Sequence, residues 1–283
     1  MNKIAIIIGD KGQDGTILSK KLKEKNYKVI GLNKKNFKIN NYKNIKNLIK
    51  KSLPKKVYYL ASFHNSSDSK IKENTETARK NFIVNFQAPY YFLDAISEVS
   101  IKSKFFYASS SMIYSNSSDK INESTLPKPV NEYGFAKFYA GNLCNFFREN
   151  KKVFASTGIL FNHTSSYSKD IFVTKYIVNS AVDIYLGKSN NFTIGNINAV
   201  IDLGSAFDYV EAMIKILNIS KSNNFIISSG RQITLKKFIE LTFNKLGLKY
   251  KNYIKIKSKK LTLPNEKKIN NNNFLKKKNR MET

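Results

Sequence analysis

After Lys3, residues Ile4 to Ile8 form an unbroken apolar run that ends at Gly9, the pattern of a strand buried on both faces. A glycine-rich turn follows, then helical spacing over 16–25 and a second strand over Tyr27–Leu32. The pattern predicts a third strand over 57–61, a helix over 81–97, a fourth strand over 104–108, a helix over 134–147 and a fifth strand over 153–160. Strands alternating with helices imply a parallel sheet covered on both sides, the α/β class. Beyond 160 the rhythm loosens. Segments 172–186 and 206–217 read as helices and 224–228 as a short strand, and Thr234 is placed to N-cap a helix reaching about 246. From about residue 255 the chain is rich in Lys and Asn, including Asn270 to Asn273, and is expected to be poorly ordered.

Composition narrows the function classes. With 283 residues, 41% hydrophobic and 24% charged, the chain has enough apolar content for a sizeable core. A single cysteine, Cys144, excludes an intrachain disulfide framework, and two histidines, His64 and His163, offer little for a metal site. No apolar run approaches the ~18 residues needed to span a bilayer, and the N-terminal run is too short for a secretory signal. A cytoplasmic location without membrane attachment is therefore expected. The 49 basic residues against 20 acidic ones leave a net charge of +29. Only Arg79, Arg148, Arg231 and Arg280 are arginines, and the lysines are scattered over the whole length. A nucleic-acid surface favours arginine for bidentate contacts, so no specific nucleic-acid partner is expected. The diffuse positive field suits an anionic substrate.

Two segments carry candidate chemistry. Gly9, Gly12 and Gly15 lie in the first strand-to-helix turn, where glycines permit close approach of a pyrophosphate to a helix N-terminus. The second strand ends in Leu32-Asn33-Lys34-Lys35, with two ammonium groups and no carboxylate, which favours NADP over NAD. Further on, Tyr133 and Lys137 stand at i and i+4, so one helix face presents a phenol beside an amine. A neighbouring cation is expected to lower the tyrosine pKa and suit it to proton exchange with an alcohol or ketone. Ser109, Ser110 and Ser111 end the fourth strand, where a hydroxyl can hydrogen-bond the reacting oxygen.

In these motifs the chain resembles the extended short-chain dehydrogenase/reductases, and within them the GDP-mannose 4,6-dehydratase family. The resemblance covers about residues 3–245. It rests on Gly12-Gln13-Asp14-Gly15, Ser109 to Tyr114, Tyr133 with Lys137, Gly158 to His163, Phe172 to Thr174, Gly195-Asn196, Asp202, Gly204, Asp208 to Val210 and 227–240. It implies an NADP-binding Rossmann-type doubly wound sheet over 1–160. Residues 161–283 would be mainly a smaller nucleotide-sugar subdomain, some of whose segments return to the first sheet. It implies catalytic roles for Ser110, Tyr133 and Lys137. Cofactor contacts would come from Gly9, Gly12, Gln13, Asp14, Gly15, Lys34, Lys35, Leu60 and Ala61 with Tyr133 and Lys137. Substrate contacts would come from Ser111, Met112, Asn162 and Lys175. A GDP-linked sugar and a homodimer or homotetramer follow from the same likeness, with Tyr90, Tyr91 and Phe92 on a helix that pairs across the dimer in related enzymes.

The chain also departs from that pattern. Met112 stands where the family has the glutamate that serves water elimination, and a thioether cannot exchange a proton. Ile201 replaces an arginine that would face the substrate phosphates, which leaves that task to groups such as Lys175 or Arg231. The loop after the second strand is short, and the C-terminal motif survives only as a remnant near Pro264-Asn265-Glu266. A 4-keto reductase or epimerase, or a non-catalytic relative that binds nucleotides, are the alternatives these departures raise.

Overall fold

The computed structural model describes residues 3–64, 74–114, 120–257 and 268–269. The first half alternates as the apolar runs predict. β1 (Lys3–Ile8), α1 (Gln13–Glu24), β2 (Tyr27–Leu32), α2 (Tyr42–Ser52), β3 (Lys56–Tyr59), α3 (Thr75–Phe82), α4 (Ala88–Val99), β4 (Lys104–Ser110), β5 (Lys120–Ile121), α5 (Glu132–Asn150) and β6 (Phe154–Leu160) follow in order. The second half supplies β7 (Asn162–Thr164), α6 (Val173–Tyr185), β8 (Phe192–Ile194), β9 (Val200–Ser205), α7 (Ala206–Ile216), β10 (Asn224–Ile227), β11 (Gln232–Thr234), α8 (Leu235–Asn244), β12 (Ile254–Ile256) and β13 (Lys268–Ile269).

The main sheet has the order β10-β6-β4-β3-β1-β2, and every pairing in it is parallel. It is a Rossmann-type, doubly wound sheet. Its inner strands are buried along most of their length because both faces are covered. Ile6, Ile8, Val57, Tyr59, Phe105 and Tyr107 face one way, onto Ile45 and Ile49 of α2, Phe92 and Ile96 of α4 and Ala140 and Cys144 of α5. Ala5, Ile7, Tyr58 and Phe106 face the other, onto Leu18 and Leu22 of α1 and Val210, Met213 and Ile214 of α7. A separate core joins α6, β8, β9 and α8 through Ile177, Ile194, Ile201, Ile239 and Phe243. There β9 pairs in parallel with β7 and antiparallel with β11.

Several element boundaries differ from the sequence pattern. α2 is absent from that reading. Its lysines and asparagines mask a stripe in which Ile45 and Ile49 alone are buried, and its start is set by the Asn41 side chain, which accepts from the Asn44 N–H. The helix expected over 81–97 begins earlier, at an Asn74–Thr77 capping box, and passes through a π turn over Ile83–Gln87 before α4. β3 stops at Tyr59, so Leu60 and Ala61 leave the sheet. The short strands β7, β8, β9 and β11 pair across long sequence distances that local pattern does not report. Thr234 does cap α8, accepting from the Lys237 N–H. The stretch expected to be poorly ordered begins inside β12, which pairs with β8. Beyond residue 257 only Lys268–Ile269 is described, so the remnant at 264–266 lies outside the described residues. No helix among the described residues is long and apolar enough to cross a membrane.

Candidate active site

Because the sheet is parallel, the segments after β1, β3, β4 and β6 emerge on one edge. The glycine turn opens that edge. Gly9 sits at φ +94°, and its N–H donates to the Leu32 carbonyl at 2.7 Å. A Cβ on Gly9 would lie 2.7 Å from the Ala61 nitrogen, so the turn presses on the Leu60–Ala61 backbone. A Cβ on Gly15 would lie 2.2 Å from the Gly9 carbonyl oxygen, which is how close α1 packs to the turn. Gly12 is the N-cap of α1, in extended conformation and with no side-chain cap. A helix N-terminus without a side-chain cap, reached over glycines, fits a pyrophosphate. Gly9, Gly12, Gly15, Leu60 and Ala61 are thus brought together, while Lys34 and Lys35 lie exposed in the loop after β2.

Gln13 and Asp14 also make contacts within the chain. Their side chains fasten this turn to the segment after β6. Ser165 donates to Gln13 Oε1 at 3.0 Å, and Ser168 donates to the same oxygen. Asp14 pairs with His163 Nε2 at 3.0 Å. Burial alone would raise the Asp14 pKa. The charge and hydrogen bond of His163, with a further bond from Gln13, outweigh that and hold it below the ordinary value.

The Tyr133 hydroxyl lies near the ends of β3 and β4. α5 begins at Glu132 because the Asn131 side chain accepts from the Gly134 N–H at 2.8 Å. Gly134 packs so tightly that a Cβ would lie 2.8 Å from the Met112 carbonyl oxygen. This contact seats the start of α5 on the turn Ser111–Tyr114 and brings Tyr133 to Ser110. Ser62 donates to the phenolic oxygen at 3.4 Å, and Ser110 also hydrogen-bonds it. Lys137, only 2% exposed, donates to the Ala108 carbonyl at 2.8 Å. Its Nζ lies 4.9 Å from the centroid of the Tyr107 ring and 5.7 Å from that of Tyr133.

The expected electrostatic tuning is not what the geometry gives. Burial raises the Tyr133 pKa, and the bonds from Ser62 and Ser110 only partly offset it. Burial also moves Lys137 from 10.5 down to about 7. The two groups share a helix face, but the amine points at a carbonyl below the phenol rather than at its oxygen. Spacing alone cannot distinguish those directions.

Beside Tyr133 lies a cavity of about 50 Å³, lined by Phe63, His64, Thr77, Asn81, Asn131, Glu132 and Tyr133. The His64 ring meets the Tyr133 ring edge-on at 4.5 Å. Burial and then the charge of Lys137 lower its pKa from 6.5, so it is neutral at pH 7. Sequence reasoning missed three residues here. Glu132 brings a carboxylate to the cavity wall. Ser62 reaches Tyr133. Asn85, fully buried on the π turn, accepts from Ser62 and from the Phe63 N–H and donates to the Phe63 carbonyl, shaping the loop after β3. A polar residue inside the apolar run Ile83-Val84-Asn85-Phe86 was the available signal for Asn85.

The remaining candidates are more scattered. Ser111 and Met112 share the turn after β4. Asn162 opens β7, and its carbonyl accepts from Tyr209 at 3.4 Å. Lys175 on α6 is occupied with the Ser166 carbonyl at 3.3 Å. Ile201 is 1% exposed in the second core, so that position faces apolar side chains and not a phosphate.

Comparison with known proteins agrees with this arrangement. The solved structure of RMD from Pseudomonas aeruginosa complexed with NADPH superposes with a TM-score of 0.79 at 19% identity, covering 91% of this chain and 88% of that one. The dTDP-glucose 4,6-dehydratase of Bacillus anthracis in complex with NAD gives a TM-score of 0.79 at 14% identity, covering 95% and 88%. At these identities the likeness is one of fold. Sequence relatives go further. The GDP-mannose 4,6 dehydratase of Cricetulus griseus is 32% identical over 275 residues, spanning 87% of this chain and 73% of that protein. The enzyme of the same name from Vibrio cholerae is 30% identical over 271 residues, spanning 87% and 72%. The family model described as GDP-mannose 4,6 dehydratase matches residues 35–281. With the glycine turn and the Ser110–Tyr133 pair on one sheet edge, and most of its length matched, this chain belongs to the GDP-mannose 4,6-dehydratase family.

Proposed function

We propose that the protein is a nucleotide-sugar-modifying enzyme that binds NADP at the glycine turn and works at the sugar C4 oxygen through Tyr133. The observation that carries this is the Tyr133 hydroxyl held by Ser62 and Ser110 on the sheet edge where the glycine turn also opens. Bound NADP supplies the hydride acceptor. Tyr133 takes the proton from the C4 hydroxyl, and Ser110 orients that oxygen. Lys137 holds its amine near both tyrosine rings, anchored on the Ala108 carbonyl, and its protonated form favours the phenolate. The uncapped N-terminus of α1 holds the pyrophosphate. We assign the sugar contacts to Ser111, Met112, Asn162 and Lys175, and the nucleotide as GDP.

Met112 favours a second reading. Without an acid/base at that position, a 4-keto reductase or epimerase needs nothing the site lacks. Incubation of the protein with GDP-mannose and NADP, followed by mass spectrometry, separates the two. Loss of one water from the sugar supports the dehydratase, and an unchanged mass counts against it. Tyr133→Phe should abolish turnover. Retained NADP binding with no Tyr133-dependent activity on any sugar nucleotide would leave a non-catalytic relative. The exposed rings of Phe135, Tyr139 and Phe146 on α5 and Tyr90 on α4 suit a homodimer or a tetramer built from it, to be checked by light scattering. A cytoplasmic location accords with such a substrate.

A further inference from the structure

The end of β2 is where a Rossmann sheet reads the ribose 2′ position, and the local sequence there, Asn33-Lys34-Lys35, is without a carboxylate. The fold brings one from elsewhere. Asp10, in the glycine turn, lies across Gly31 of β2. A Cβ on Gly31 would sit 2.3 Å from Asp10 Oδ2, so the absence of a side chain at 31 makes room for that carboxylate. Asn33 Nδ2 donates to Asp10 Oδ1 at 2.9 Å. The Asn33 end of this pair is held in turn. Its Oδ1 accepts from the Lys35 N–H at 3.1 Å, its own N–H donates to Asn36 Oδ1 at 2.8 Å, and Asn36 Nδ2 donates to the Gly31 carbonyl at 3.0 Å. The Asp10 side chain is 12% exposed. Its nearest cation, Lys11, lies 3.9 Å away and is 80% exposed, so solvent screens most of that charge. Asp10 also borders an open groove between α1 and β2, lined by Lys11, Lys20, Lys23 and Gly31.

We propose that Asp10 sets how strongly this protein distinguishes NADP from NAD. Its carboxylate opposes the 2′-phosphate that Lys34 and Lys35 attract and accepts from a free 2′-hydroxyl. The inference rests on the cofactor reading above. A fixed anion beside the phosphate site weakens the dianionic ligand and leaves the diol unharmed. The discrimination that two lysines would produce is thereby narrowed.

The test is calorimetric titration of NADP and of NAD into the unaltered protein, Asp10→Asn and Asp10→Ala, at low and high salt. Asp10→Asn retains an oxygen for Asn33 and removes only the charge. The preference for NADP over NAD should rise about tenfold or more in both variants, mostly through tighter NADP binding, and the rise should shrink with salt. Lys34→Ala should move the ratio the opposite way. If both nucleotides bind every protein and the ratio stays within about twofold in the Asp10 variants, the role of Asp10 is overturned while the cofactor reading stands. If the unaltered protein binds neither nucleotide, the cofactor reading falls and takes this inference with it.

Discussion

Replacing Lys137 by methionine should make the nucleotide-free protein more stable at neutral pH and remove its activity. The amine is 2% exposed, and burial moves its pKa from 10.5 to about 7. At about 1.4 kcal/mol per unit, the penalty is about 5 kcal/mol well below pH 7 and about 4 kcal/mol at pH 7, where the folded amine is half deprotonated. The Tyr107 and Tyr133 ring faces, 4.9 and 5.7 Å from Nζ, offset about 1 kcal/mol of it. The variant leaves the Ala108 carbonyl without its 2.8 Å donor, which costs about 1–2 kcal/mol. The net is a gain of about 1–2 kcal/mol at pH 7. The pH dependence is the sharper signature. Between the folded value of about 7 and the unfolded 10.5, the unfolded chain holds the proton and the folded one does not, so stability of the unaltered protein rises with pH across that window. Methionine has no such rise. The gap should shrink by about 3 kcal/mol towards pH 10 and the order of stability should reverse. Urea unfolding of both proteins at a series of pH values measures this. Parallel stability curves would refute the claim that Lys137 is buried at an energetic cost.

Three further outcomes follow from the packing around the site. Gly15→Ala should abolish NADP binding and destabilise the protein by about 1–3 kcal/mol or more, because the new Cβ meets the backbone of Gly9 and Asp10 rather than a mobile side chain; titration with NADP and urea unfolding check it. Asp14→Asn should destabilise by about 1–3 kcal/mol at neutral pH. Asp14 has a lowered pKa, so its contribution is complete above 3.8 and fades as pH falls through the folded value, and the variant and the unaltered protein should converge in acid. Cys144 is fully buried and pushed up to about 12, so iodoacetamide should label it only after unfolding; rapid labelling of the native protein would contradict the packing of α5 on the sheet.

The continuous apolar run of β1 and the alternation of strand and helix signals through β6 were enough to establish the parallel sheet, because a strand buried on both faces has no polar alternation to misread. The glycine spacing located the first turn for a comparable local reason. Gly9 needs a positive φ, and Gly15 meets the turn too closely for any side chain. Tyr133 and Ser110 were nameable because a helix period and a strand end place them. What they do to each other was not, since the direction of the Lys137 amine depends on where the Ala108 carbonyl lies.

The sequence by itself therefore determined the class of fold, the turn suited to a dinucleotide and the placing of Tyr133 and Lys137 on one helix face, all set by periodicities and steric limits within a few residues. Only the tertiary structure decided the electrostatics. It joined Asp14 to His163, turned Asp10 onto Asn33, brought His64 and Glu132 to the cavity beside Tyr133 and buried the amine of Lys137. Charges act through space and through the water excluded around them, and neither the distance between two groups nor their exposure is encoded in the local order of residues.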